Sequence, residues 1–152
     1  MSCSVARTLE VVGEWWTLLV IRDAFTGIRR FEDFQANLGI ARNVLAARLR
    51  RLVEQGILEK RRYQEHPPRS EYRLTEKGID LYPVIITMQQ WGDRWASAKK
   101  GPPVILVSRA SGAPLEPILV DAASREPLDP RQTRARAGPG ASAEMRRRLG
   151  ME

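Results

Sequence analysis

Between Leu38 and Arg42 the chain leaves itself only a short turn, containing Gly39, to join two apolar-periodic segments. Upstream, RRFEDFQANLG sets Phe31, Phe34 and Leu38 at i, i+3, i+7, one face of a short helix that ends at Gly39. Downstream, IARNVLAARLRRLVEQG carries Leu45, Leu49 and Leu52 on a narrow stripe and stops at Gly56. Two amphipathic helices joined by so short a glycine-bearing turn form a helix-turn-helix.

The flanks agree with that unit. VARTLEVV spaces Val5, Leu9 and Val12 as a first helix, with Ser4 available as N-cap and Gly13 as a stop. EWWTLLVIRDAF predicts a second helix, with Trp15, Leu18, Leu19, Ile21, Ala24 and Phe25 on a broad face and Thr26-Gly27 closing it. After Gly56 the texture changes, and ILEKRRYQ and SEYRLT flank EHPPR as a β-hairpin with a stiff tip. Thr75 then caps one long helix running toward Lys100, kinked or delayed by Pro83. The fold class expected is mainly α with a small β-hairpin wing (α+β), a winged helix-turn-helix domain over residues 1–100. Beyond it, two short strands near 104–108 and 117–120 suggest a small β-hairpin extension over 101–130. A flexible tail follows over 131–152, with room for one or two terminal helical turns, and no internal repeat is apparent.

Charge points to the partner. The chain carries +7 at a pI near 10.3, which favours an anionic partner such as nucleic acid or an acidic membrane surface. Opposite the Leu45/Leu49/Leu52 stripe fall Asn43, Ala47, Arg50 and Glu54, with Arg42 at the helix start and Ala46 on the flank; no acidic residue stands between Asp33 and Glu54. Arg suits a bidentate contact to guanine, Asn to adenine, and Ala a thymine methyl, so Arg42, Asn43, Ala46, Ala47 and Arg50 are the candidate base contacts. Lys60, Arg61, Arg62, Arg69 and Arg73 on the hairpin, with Arg29, Arg30 and Arg51, are candidates for the DNA backbone or minor groove.

Other classes lack their parts. Cys3 is the single cysteine and His66 the single histidine, so neither an intrachain disulfide nor a Cys/His zinc site can be assembled in one chain. No nucleophile with its base and no phosphate-cradling loop is present; no enzyme, no cofactor and no metal are expected. The start lacks a secretory signal and no stretch approaches a membrane span, so a cytoplasmic protein, associated with the nucleoid through DNA, is expected.

The stretches CSVARTLEVVGEWWTLLVIRDAF, RRFEDF, VLAARLRRL, GILEKRRY and PPRSEYRLTEKG, running on to Trp91-Gly92, together resemble the HxlR family of winged helix-turn-helix regulators over about residues 3–96. The resemblance implies a homodimer, paired through the first and last helices, that binds an inverted-repeat operator in double-stranded DNA as a transcriptional regulator, more often a repressor. Val5 and Leu9 on the first helix and Tyr82, Ile85, Met88, Trp91 and Trp95 on the last would form that interface. Family members often sense electrophiles or oxidants through a cysteine at the position of Cys3, which makes Cys3 a candidate redox sensor; a small-molecule effector is the other candidate signal. Ala41 departs from the Ser or Thr that relatives place at the recognition-helix cap, which typically costs ~1 kcal/mol of capping. Some relatives carry a zinc-ribbon-like tail, and here its ligand places correspond to Ser108, Ser111, Asp121 and Ser124, which will not hold zinc. The rival from another class is a winged-helix protein-interaction module without DNA-binding function; the basic, Asn- and Ala-lined helix face argues against it.

Overall fold

The computed structural model describes residues 3–96 and 101–149. Contacts divide the chain near Gly92 into a first unit, Cys3–Gly92, and a second from Asp93 onward. The first unit opens with α1, Ser4–Val12, whose N-cap is Cys3 rather than the expected Ser4. Ser4 is already helical, and its hydroxyl accepts a hydrogen bond from Arg7 at 3.2 Å. At Gly13 a Cβ would lie 2.4 Å from the Leu9 carbonyl oxygen, so only glycine lets the chain turn so closely against α1.

Helix α2, Trp15–Phe25, buries Thr17, Val20 and Ile21, with Ala24 half-buried beside them. The apolar face expected to start at Trp15 is therefore rotated. Spacings of three and four run through Thr17, Val20, Ile21 and Ala24, and leave Trp15 80% exposed. Helix α3, Phe31–Leu38, sinks Phe34 completely and ends at Gly39, whose φ of 62° is the left-handed turn the short connection requires. Helix α4, Arg42–Glu54, follows, and Leu45, Leu49 and Leu52 are all fully buried. These side chains meet Val12, Val20, Ile21, Phe34, Ile40, Ile57, Leu58 and Ile85 in one core. Truncating one of the three leucines to alanine would cost about 2–5 kcal/mol and loosen α4 on its support.

Strands β1, Leu58–Gln64, and β2, Arg69–Leu74, pair antiparallel from Leu58↔Leu74 outward, with a bulge between Arg62 and Gln64. The segment before α3 is tied to this wing: the Tyr72 N–H donates to the Arg29 carbonyl at 2.8 Å, and Arg30 bridges to Glu71. The hairpin is thus fastened to the start of the helix-turn-helix rather than hanging from α4 alone.

The single kinked helix expected after Thr75 is two helices. Thr75 caps α5, Glu76–Ile79, by accepting from the Gly78 N–H, while its own hydroxyl donates to the Gly56 carbonyl at 2.6 Å. A Cβ at Gly78 would lie 2.3 Å from the Ile57 carbonyl oxygen, which holds α5 tight against the chain leaving α4. Helix α6, Tyr82–Trp95, then starts afresh with Pro83 in its first turn, where a missing N–H costs nothing. It buries Ile85 and Ile86 and exposes Tyr82, Val84 and Met88. The expected extension of this helix toward Lys100 lies outside the described residues.

The second unit does not form the two-stranded hairpin expected near 104–108 and 117–120. Two similar turns replace it. LVSRASGAPL over 106–115 closes with a Val107↔Pro114 bridge, and LVDAASREPL over 119–128 closes with Val120↔Pro127. In the first, the Ser108 hydroxyl accepts from the Ala110 and Ser111 N–H groups; in the second, an Asp121 carboxylate oxygen accepts from Ala123 and Ser124. Gly112 (φ 71°) and Arg125 (φ 63°) occupy the same left-handed position. The two segments are an internal repeat, contrary to expectation, and each turn is closed by a side-chain oxygen. Helix α7, Ala143–Arg148, capped by Ser142, lies in the tail segment, where one or two terminal helical turns are expected.

Candidate nucleic-acid interface

Burial of the leucine stripe turns the opposite face of α4 outward. Arg42, Asn43, Ala46, Arg50 and Arg51 are exposed, and Ala47 is half-buried. The guanidinium of Arg42 lies over the Phe31 ring, 4.8 Å from its centroid, so α3 steadies the first residue of α4. Ala41 occupies the N-cap with no side-chain hydrogen bond. Arg48, on the same helix, turns away from this face: it is ion-paired with Glu14, and its Nε is buried without a hydrogen-bond partner among the described residues.

The wing presents its cations in two conditions. On one face the cross-strand neighbours alternate in sign, and Arg61 pairs with Glu59 at 2.6 Å while Arg73 pairs with Glu71 at 2.7 Å. Arg62 pairs with Glu65 at 3.0 Å. Ion pairs this exposed contribute about 0–1 kcal/mol, so a phosphate can displace the carboxylate, but three of the expected backbone contacts have competitors within the hairpin. Lys60 sits 6.0 Å from the Tyr72 ring centroid, and burial, then Glu32, hold the Tyr72 phenol above its usual pKa. Arg69 opens β2 and is exposed. Arg30 lies 5.1 Å from the Tyr63 ring centroid, and Arg29 is bonded through its carbonyl to β2. The structure therefore brings Arg29 and Arg30 to the hairpin and separates Arg48 from the outward face of α4.

One residue that positions this surface was missed from sequence. Asp23 is 1% exposed; its Oδ1 accepts from Arg22 Nε and Nη2 at 2.9 and 2.7 Å, and its Oδ2 accepts from Asn37 Nδ2 at 2.7 Å. The carboxylate joins the end of α2 to the end of α3, and so sets the helix on which the turn to α4 depends. An acidic residue two places after Ile21, next to Arg22 in a largely apolar helix, was the available signal.

Of the residues expected at a subunit interface, Val5, Leu9, Met88, Trp91 and Trp95 are more than half exposed. Tyr82 packs on Phe25 at 5.0 Å between centroids, and Ile85, expected at the interface, belongs instead to the chain's own core. Cys3 is exposed at the N-cap of α1. Among the described residues no group of three or more His, Cys, Asp or Glu could hold a metal, and no helix is long and apolar enough to cross a membrane. Asp121 lies below the usual carboxylate pKa because the Ser124 and Ala123 N–H groups bond its charged form, a role within the turn.

Three helices packed under a basic helix-turn-helix, with a hairpin fastened beside it, define a winged helix-turn-helix DNA-binding transcriptional regulator. The sequence profile of the HxlR-like helix-turn-helix family matches residues 11–100, and the chain belongs to that family. An uncharacterized HTH-type transcriptional regulator of Mycobacterium tuberculosis is 44% identical over 142 residues, covering 93% of this chain and 90% of that protein. The crystal structure of PA1607, solved as a candidate transcription factor, superposes with a TM-score of 0.80 at 45% identity, covering 88% of this chain and 94% of the other. The reduced form of the redox regulator HypR superposes at 0.58 with 33% identity, covering 60% and 92% respectively.

Proposed function

We propose that this regulator is a homodimeric repressor that occupies an inverted-repeat operator, with Arg42, Asn43, Ala46, Ala47 and Arg50 of α4 facing base edges. The observation that carries the proposal is the outward face of α4: two arginines, an asparagine and small alanines, on a helix whose other side is anchored by three fully buried leucines. The alanines let the helix backbone approach the groove, and Arg and Asn supply bidentate donors. Arg29, Arg30, Arg51, Lys60, Arg61, Arg62, Arg69 and Arg73 contact phosphates or the minor groove. The exposed Val5 and Leu9 on α1 and Met88, Trp91 and Trp95 on α6 are apolar surface that a second subunit would cover. A two-fold dimer sets its recognition helices about 34 Å apart, one turn of DNA. Acting on the chromosome, it works in the cytoplasm.

The test is competition between a selected operator and random duplex. Arg50→Ala and Asn43→Ala should each weaken operator binding by roughly 1–3 kcal/mol and relax preference at particular bases, whereas Arg69→Ala should weaken both DNAs alike. Equal losses on both DNAs for Arg50→Ala would remove it from the base-reading set.

A further inference from the structure

We infer that the groove between α1 and the α5–α6 segment is an effector site for a small organic carboxylate with a flat apolar body. The groove holds about 340 Å³. Its floor is Val11, Val12, Ile57 and Leu81, and its rim carries Arg7 and Lys77. Val12 and Ile57 are each 2% exposed members of the core, so the floor is set by the fold. Among the described residues no carboxylate lines the groove. Arg7 donates to the Ser4 hydroxyl at 3.2 Å and Lys77 to the Gln55 carbonyl at 2.8 Å, and among the described residues neither cation is in an ion pair.

Two cations beside an apolar floor define the occupant. A cationic ligand is repelled, and a neutral apolar one gains nothing from either charge. An anion with an aromatic or short aliphatic body gains from the floor and the rim together. The volume stands at the small end for ligand pockets, about 300–1,000 Å³, and suits one or two fused rings. On α1 the groove takes Ser4, Arg7, Thr8, Val11 and Val12, and Val12 stands i+7 from Val5 and i+3 from Leu9, so the groove adjoins the apolar face proposed for the second subunit and an occupant would sit beside that interface. Gln55 is the C-cap of α4. A carboxylate that draws Lys77 from the Gln55 carbonyl removes a cation from the end of the recognition helix, where it is favourable, and shifts how α4 sits.

The site rests on the regulator proposal for its consequence but not for its chemistry, and the experiment separates the two. Equilibrium dialysis of the full chain against 2-naphthoate and its neutral amide measures binding; the same samples are then titrated with operator DNA. Saturable naphthoate binding is expected, with the amide at least tenfold weaker and Arg7→Gln and Lys77→Gln each at least tenfold weaker for naphthoate. Naphthoate should lower operator affinity severalfold in the wild type and leave that of Arg7→Gln, itself unaltered without ligand, unchanged. Absence of saturable binding, equal binding of acid and amide, or unchanged binding by Arg7→Gln would overturn the site. Operator binding indifferent to naphthoate would overturn the coupling to α4. A protein that binds naphthoate through Arg7 and Lys77 but no DNA would overturn the regulator proposal and support the site.

Discussion

Replacing Asp23 with alanine tests how the helix-turn-helix is held together. The carboxylate is 1% exposed and accepts three hydrogen bonds, two from Arg22 and one from Asn37. Hydrogen bonds to a charged group contribute roughly 1.5–3 kcal/mol, and breaking a fully buried pair costs about 3–5 kcal/mol. Arg22 is 46% exposed and Asn37 is exposed, so both recover water when the carboxylate is lost, and the cost falls to about 2–4 kcal/mol. Urea unfolding of wild type, Asp23→Ala, Asn37→Ala and the double variant measures this directly. Asn37→Ala alone should cost about 1 kcal/mol, and the cycle should show a coupling of at least 0.5 kcal/mol because the two groups touch. Operator affinity should fall as well, although Asp23 is buried, because α3 loses its tie to α2. A cost below about 0.5 kcal/mol for Asp23→Ala would refute the reasoning, since such values belong to surface positions without a special role.

Other consequences can be checked independently. Glu71→Gln frees Arg73 from its 2.7 Å ion pair, and non-specific DNA binding should strengthen, with the slope of log affinity against log salt steeper by about one unit; an unchanged slope would place Arg73 away from phosphate. The purified chain should hold no stoichiometric zinc, because serine and aspartate oxygens close the two turns of the second unit; one zinc per chain surviving dialysis would contradict this. Treating wild type and Cys3→Ser with a quinone should alter operator binding of the wild type alone if Cys3 is the redox sensor, and equal responses would rule it out.

Much of the DNA-facing unit was legible from the sequence because its signals are local. Leu45, Leu49 and Leu52 each fall on the buried side of α4, and Gly39 takes the left-handed turn, because a 3.6-residue period and a glycine are read within one helical span. What was not legible depends on partners distant in the chain. Arg48 belongs to a run of arginines, and only folding brings Glu14 against it. Asp23 likewise finds Asn37 on another helix, whereas the ion pairs Arg61–Glu59 and Arg73–Glu71 run along single strands, two residues apart, and were open to reading from the strand period. Thr75 and the apolar residues after Asp80 invited one helix, yet Pro83 favours a first turn of its own. In the second unit, the apolar runs VILV and ILV suggested strands. Aligning Ser108 with Asp121 would have exposed the repeat, since each supplies an oxygen to the N–H groups two and three residues onward.

Selection of bound duplexes from a random pool, followed by footprinting of the winner, tests the central claim most directly. The account predicts an enriched inverted repeat with half-site centres about 10–10.5 base pairs apart, protected by two subunits, and loss of the enriched bases with Arg50→Ala. A pool that shows no enrichment, or a single half-site filled by one subunit, would contradict it.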